Sequence, residues 1–426
     1  MAEGRQKRSD GRNIAEQIKV FNAGRQPETL ARKYKLMADN PFSFFRGTAH
    51  LFWGQWPRGT ALDQAPAVWL CGDLHFENFG SFKGDNRLEY FDLNDFDEAG
   101  LAPCLREPVR LATSLFVARK EIGIDAGESR QMATTLVDAY AAALNRGKAF
   151  WVERETAAGA VRELLTGLRE RKRKKLLNAR SRVRHGLRKF VPDGEHLLIA
   201  APAEHRKVRQ LIDDFARRRE HPEFFKVLDV CRRVAGTGSL GVLRWAILVE
   251  GEGSPDRNVL LDLKEAMPSA MVPSVAQPQP KWSSEAERVV TIQHWSQAAS
   301  PALLTAVRLG PSSFILRELQ PIEDRLSLAH VARRRSRLER AVRTMGELIA
   351  WAQLRASARH GAAGPDELAD FGAGKGWRRA LVDYARDYAE NVEREWTSYR
   401  DAYRAGYFDA SPKPAHDKRV AAGVAK

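Results

Sequence analysis

The stretch from Val68 to Asp97 limits the possible fold more than any other. An apolar strand, Val68-Trp-Leu-Cys71, delivers Gly72-Asp73 at its end. Asn78 is then separated from Asp92 by thirteen residues: a short strand (Phe79 to Phe82), a turn (Lys83-Gly-Asp-Asn86) and a returning strand (Arg87 to Phe91). Gly, Asp and Asn tolerate positive φ, so this turn predicts a hairpin. A hairpin brings its ends to within one strand spacing, about 5 Å, which sets Asn78 beside Asp92 with Asp73 on the loop before them. One amide oxygen and one carboxylate converging on a point suit Mg²⁺, which takes one or two carboxylates plus substrate phosphates. Asp73 faces the same space without being a ligand. Phosphoryl transfer needs such a set: metal-held phosphates and a carboxylate accepting the proton of the attacking hydroxyl. Asp95 reads as a second metal ligand or a loop-orienting acid, and His75 as a loop-shaping residue. Glu77 and Asp97 read as surface or supporting residues.

The second informative stretch begins about 160 residues later. Gly236-Thr237-Gly238-Ser239-Leu240-Gly241 spells GxGxxG, a weak signal until its context is read. A dinucleotide fold needs a strand before the glycines and a helix after them. Here Val242 to Val249 is strand-like and ends at Glu250-Gly251-Glu252-Gly253, so a second strand follows. A glycine loop joining two antiparallel strands is instead the flap that covers ATP phosphates in kinases. A third strand, Asn258 to Lys264, ends in a lysine placed to neutralise phosphate charge; burying it without that purpose is costly. The helix expected from about Ser284 to Ala299 offers Glu285 and Glu287 to steady Lys264, with Glu287 preferred. Ser313 to Arg317 reads as the strand leading into the adenine-facing hinge, a linker of Glu318-Leu319-Gln320-Pro321.

Elsewhere the periodicity alternates in blocks. A helical opening (Ile14 to Ala23) and an aromatic cluster at Phe42 to Arg46 precede the first strands. Residues 106–225 read as helices, and the chain ends in helices from Leu328 to Arg359 and Trp377 to Tyr403. The order strands, helices, strands, helices predicts an α+β fold of two lobes. The partition expected is an N-terminal segment (1–64), a catalytic-loop and helical part (65–225), a nucleotide-binding β lobe (226–325), C-terminal helices of the catalytic lobe (326–410) and a tail (411–426).

Composition narrows the class. The 426 residues are 43% hydrophobic and 29% charged, which rules out wholesale disorder. No apolar run is long enough to span a membrane, the start lacks the apolar core of a secretion signal, and three scattered cysteines build no disulfide framework. A cytoplasmic protein is expected. Of the net charge of +15, the run from Arg169 to Lys189 carries eleven Lys or Arg against Glu170 alone, without an aromatic. A solvated basic helix or a mobile loop excursion is favoured over a phosphate-contacting patch.

With both stretches in view, the chain resembles the bacterial family known as domain of unknown function 2252, placed among protein-kinase-like and aminoglycoside-phosphotransferase-like proteins. The resemblance covers roughly residues 30 to 408. It rests on Asn40-Pro-Phe-Ser-Phe-Phe-Arg46-Gly47, Cys71-Gly-Asp-Leu-His-Phe-Glu-Asn-Phe-Gly80, Phe91-Asp-Leu-Asn-Asp-Phe-Asp-Glu98, Gly236 to Gly241 and Leu263-Lys-Glu-Ala266. It implies a two-lobed kinase-like fold, with Asp73 as the catalytic-loop aspartate, Asn78 a metal ligand and Asp92 the metal-binding aspartate of the activation segment. Kinases place the glycine loop and lysine before the catalytic loop; here they follow it, so the elements look circularly permuted. Glu107 stands where the family tends to have Asp before Arg-Leu-Ala.

The expected function is an ATP- and Mg²⁺-dependent phosphotransferase of unknown small-molecule or protein acceptor. Asp73 and Lys264 carry catalysis; Asn78, Asp92 and Asp95 hold metal; and Gly236, Thr237, Gly238, Ser239, Gly241, Lys264 and Glu287 hold the nucleotide. The alternatives are a non-catalytic nucleotide-binding module using the basic run for a partner or nucleic acid, and transfer of AMP instead of phosphate.

Overall fold

The computed structural model describes residues 13–320, 325–327 and 331–409. The expected tail, the last linker residue Pro321 and the expected helix start at Leu328 lie outside them. Four helices open the described chain: α1 (Ile14–Phe21), α2 (Pro27–Asp39), α3 (Pro41–Gly47) and α4 (Ala49–Gly54). Strand β1 (Ala67–Leu70) leads to the hairpin β2 (Phe79–Lys83) and β3 (Glu89–Leu93), and β4 (Gly100–Pro103) returns antiparallel to β1. Helices α5 (Arg106–Val117), α6 (Ala126–Asn145), α7 (Gly159–Glu170) and α8 (Arg173–Asn178) follow, then the hairpin β5 (Ser181–Arg184) and β6 (Leu187–Phe190).

Next come β7 (Leu197–Ile199), α9 (Pro202–Ala216), β8 (Val227–Arg233), β9 (Arg244–Val249) and β10 (Val259–Glu265). Helix α10 (Glu285–Ser296) separates them from β11 (Thr305–Leu309) and β12 (Ser312–Glu318). These strands form one six-stranded antiparallel sheet in the order β11-β12-β10-β9-β8-β7. Three helices close the described chain: α11 (Arg335–Ala356), α12 (Pro365–Ala373) and α13 (Gly376–Arg404). The fold is a mixed α+β arrangement with several sheets, as expected. Among the described residues no helix is long and apolar enough to cross a membrane. Cys71, Cys104 and Cys231 are free and buried.

Period-two alternation decides what each face of the large sheet does. On β10, Leu261 and Leu263 point into a core with Val208 and Ile212 of α9 and Phe225. Asp262 and Lys264, between and beyond them, take the opposite face. The hairpin forms, but in another register than its turn suggested. The return strand starts at Glu89, Gly80 opposes Asp92, Asn94 N bonds Asn78 O, and Arg87, not a Gly, Asp or Asn, takes the positive φ (65°).

Residues 106–225, read as helices, also contain β5, β6 and β7. Their alternation (Ser181-Arg-Val-Arg, Leu187-Arg-Lys-Phe) sits inside the basic run, where charge density obscured the period. Seven of that run's eleven cations are exposed, as a solvated segment requires, but the segment is part helix and part hairpin and is tied down at three of its cations. Arg173 pairs with Glu252, Lys174 with Asp256, and the buried Arg188 bonds Pro255 O, Asn178, Ser181 and Asp256. Leu177 and Phe190 pack with Leu248, Leu260 and Leu319 on the sheet. The expected helix ending at Arg359 stops at Ala356, and β4 and β11 are strands the periodicity missed.

The helical layer depends on close approach of α11 to α6. At Gly346 an added Cβ falls inside van der Waals contact with the Leu136 carbonyl and 3.2 Å from the Tyr140 nitrogen. Alanine gains about 1 kcal/mol of helix propensity over glycine, but overpacking against rigid backbone costs about 1–3 kcal/mol. Gly346→Ala is therefore expected to lower the thermal midpoint, and an unchanged or raised midpoint in a melting experiment contradicts this packing.

Candidate active site

The loop from β1 to β2 is held from behind by buried groups. Glu107 on α5 accepts hydrogen bonds from Cys71 N (2.6 Å) and Gly72 N (3.2 Å), and Gln353 on α11 donates to its other oxygen (3.0 Å). The glutamate standing in place of the family's aspartate thus anchors the loop directly. Gly72 has φ 101°, and a side chain there would collide with Glu98. His75 accepts from Glu77 N (3.2 Å) and caps the turn 76–78; burial holds its pKa well below the usual range, so it is a neutral loop-shaping residue.

Asp73 Oδ1 accepts from Arg110 Nε at 2.5 Å. The Arg110 guanidinium is fully buried, lies 4.0 Å from the Phe45 ring centroid and donates to Phe45 O. The aromatic cluster read from the sequence is the seat of this arginine. Burial pushes the Asp73 carboxyl above its usual range, against the opposing pull of Arg110. A carboxylate so poised suits proton acceptance.

Asn78 Nδ2 donates to Asp73 O, which ties the two motif residues together and leaves the amide oxygen for the cleft. Asn78, Asn94 and Asp95 line one cleft with Gly236, Ser239 and Lys264, about 600 Å³ including its open mouth. Burial opposes ionisation of Asp95, but Lys264, Asp97 N, Arg317 and Arg325 together hold it below the usual range. Asn94 Oδ1 is buried without a hydrogen-bond partner among the described residues. Among those residues no three His, Cys, Asp or Glu side chains form a metal cluster. The donor set offered is one ionised carboxylate and two amide oxygens, which fits Mg²⁺ completed by phosphate oxygens and water. Asn94 was missed in the sequence; its position, one residue before Asp95 in the loop leaving β3, was the available signal.

Asp92 is not brought to this cleft. It is buried on the far side of the hairpin, where Oδ2 pairs with Arg355 (3.2 Å) of α11 and Oδ1 accepts from Leu93 N (2.9 Å). The register sets Asn94, not Asp92, beside Asn78, and Asp92 opposes Gly80 further along the hairpin, where Arg355 meets it.

Lys264 is 8% exposed and bonds Asp97, not Glu287. Glu287 accepts from Ser283 N (2.7 Å) at the start of α10, an N-terminal capping role that keeps it at the surface. Glu285 instead pairs with Arg288 (2.7 Å), whose guanidinium donates to Asp97 O, Ala99 O and Met267 O. Ser239 Oγ reaches Asp97 at 3.4 Å. Thr237 and Gly236 line a neighbouring opening with Arg32, Lys35 and Arg46. Gly238 and Gly241 face away from the cleft: Arg25 and Lys33 donate to Gly238 O, Arg25 also to Leu240 O, and Gln26 N to Gly241 O. The loop is strapped to α1 and α2 instead of standing free.

A family model described as an uncharacterized protein conserved in bacteria (DUF2252) matches residues 25–402, so the chain belongs to that family. No curated protein and no solved structure matches it.

Behind the site, burial and the nearby Asp73 charge push Glu98 up to about 7. The folded chain then keeps a proton that the unfolded chain releases near 4.5, so stability falls as pH rises from about 4.5 through 7. Glu98→Gln should flatten that slope, removing a loss of at most about 3 kcal/mol. Denaturation midpoints measured from pH 5 to 7.5 check this; parallel slopes in the two proteins rule it out.

Proposed function

We propose that this member of the DUF2252 family is an ATP- and Mg²⁺-dependent phosphotransferase built on a kinase-like, two-lobed scaffold with permuted element order. One observation carries the reading: Lys264 and Gly236 from one stretch meet Asn78 and Asp95 from another, about 160 residues away, in a single cleft. The elements that deliver them support it too. A strand, a glycine loop and an antiparallel strand precede the lysine strand, and a helix and two more strands follow. These are the parts of a kinase nucleotide lobe, here following the catalytic loop in the chain.

The roles divide by chemistry. Asp73, positioned by Arg110 and raised in pKa by burial, accepts the proton of the attacking hydroxyl. Asn78, Asn94 and Asp95 are the residues that would hold Mg²⁺, which when bound neutralises charge on phosphate oxygens. Lys264, delivered by β10 and steadied by Asp97, contacts the donor phosphates. The backbone of Gly236 and the Ser239 hydroxyl offer hydrogen bonds beside it. Asp73 adjoins Asn78 but is not itself among the residues lining the cleft, and the acceptor's identity is open to many classes on such a scaffold. Use of the basic run for nucleic acid is weakened by the commitment of Arg173, Lys174 and Arg188 to Glu252 and Asp256.

Three substitutions separate the cleft from the far side of the hairpin. Asp95→Ala and Lys264→Ala should each lower Mg²⁺-dependent turnover of γ-labelled ATP by at least ~100-fold while the fold persists. Asp92→Asn should instead act on stability, because it strands the partly buried Arg355 at a cost of about 3–5 kcal/mol. Undiminished turnover in both cleft variants would falsify the phosphotransfer reading.

A further inference from the structure

The cleft beneath the sheet has an unusual lining for a nucleotide site. Among the described residues, no apolar side chain larger than that of Ala235 faces it. Arg233, Arg244, Arg317, Arg325 and Lys264 do. A purine buries two flat apolar faces and needs aliphatic or aromatic partners; none is offered here.

Three of the arginines converge on one acid. Asp262 is 1% exposed and bonds Arg244 through both oxygens (2.7 and 2.5 Å), Arg233 at 2.9 Å and Arg317 at 3.7 Å. One bidentate arginine already satisfies a carboxylate. Two further guanidinium groups leave a local excess of about two positive charges in a half-buried space, which is costly unless an anion joins them. Burial, with Arg244 and Arg317 beside it, presses Arg233 down to about 10, whereas Asp262, Asp97 and Asp95 outweigh burial at Arg244 and raise it. Lys264 does not relieve the excess, being matched by Asp97, and Glu77 pairs with Arg46 (2.6 Å); Asp95 sits in the field of Arg317 and Arg325 and offsets only the further charge that Arg325 adds.

The apolar part of the same sheet face is taken. Leu248, Leu260 and Leu319, toward the linker end, are covered by Leu177 and Phe190 from the basic segment. The cleft is therefore left with its charged half alone.

Resting on the phosphotransfer reading, we infer that this cleft recognises its donor by the triphosphate chain and is indifferent to the base. The arginine cluster around Asp262 supplies the grip that a base slot supplies elsewhere. A nucleoside triphosphate and an inorganic polyphosphate chain present the same chemistry to it.

Calorimetric titration of the full chain in Mg²⁺ with ATP, GTP, inorganic tripolyphosphate and adenosine tests this. The three triphosphates should bind within about threefold of one another and weaken together as salt is raised. Adenosine should give no heat. Arg317→Gln should weaken ATP and tripolyphosphate alike by about tenfold or more; should that variant melt early, the ligand series on the unaltered chain still decides. ATP binding more than about tenfold tighter than tripolyphosphate, or any binding of adenosine, overturns the inference. Such a result moves the base to the adjoining cavity, which shares Gln320 with the cleft and is lined by Phe82, Leu168, Leu176 and Leu319, and leaves phosphotransfer standing. No binding by any triphosphate overturns both.

Discussion

The ion pair between Lys264 and Asp97 is the interaction on which the site depends. It joins the end of β10 to the loop leaving the β2–β3 hairpin, two places that chain order keeps far apart. Burying a lysine to 8% exposure without a partner charge is costly. Asp97 supplies that partner, and the field of Lys264 in turn helps hold Asp95 below the usual carboxylate range. Arg288 of α10 reinforces the tie by bonding the backbone of Asp97 and Ala99. Sheet, helix and the loop leaving the hairpin are thus locked to one another by a small set of charged groups around residues 95–99.

Much of this could be read from the residues. The Lys83–Asn86 turn dictated the hairpin, and the strand following Gly241 excluded a dinucleotide fold; both follow from local backbone chemistry. The strand ending in Lys264 and the helix after Ser284 were equally plain. Side-chain direction was another matter. Asp92 and Asp95 differ by three residues, but one turns toward Arg355 and the other toward Lys264, a choice made by packing of α11 against the hairpin. Glu287 looked like a lysine partner by kinase logic and is used as a cap because it falls three residues after Ser284.

The basic run shows why charge density is a poor guide by itself. Read as composition, eleven cations in twenty-one residues suggested solvent or a polyanion. In the fold, several meet the acidic β9–β10 turn, and the apolar residues scattered among them, Leu177 and Phe190, find the sheet. The alternation that made β5 and β6 was visible, but nothing local indicated which surface it would meet.

The strapping of the glycine loop has a mechanical consequence. Four hydrogen bonds run from Arg25, Gln26 and Lys33 to its carbonyl oxygens. At about 1 kcal/mol each, releasing them together costs roughly 4 kcal/mol, so a raised loop is populated about a thousandfold less than a seated one. A ceiling that rarely lifts makes loading a lateral event. On the phosphotransfer reading, a ligand then enters through the opening between α2 and the loop, where Arg32, Lys35 and Arg46 stand, without the loop having to lift.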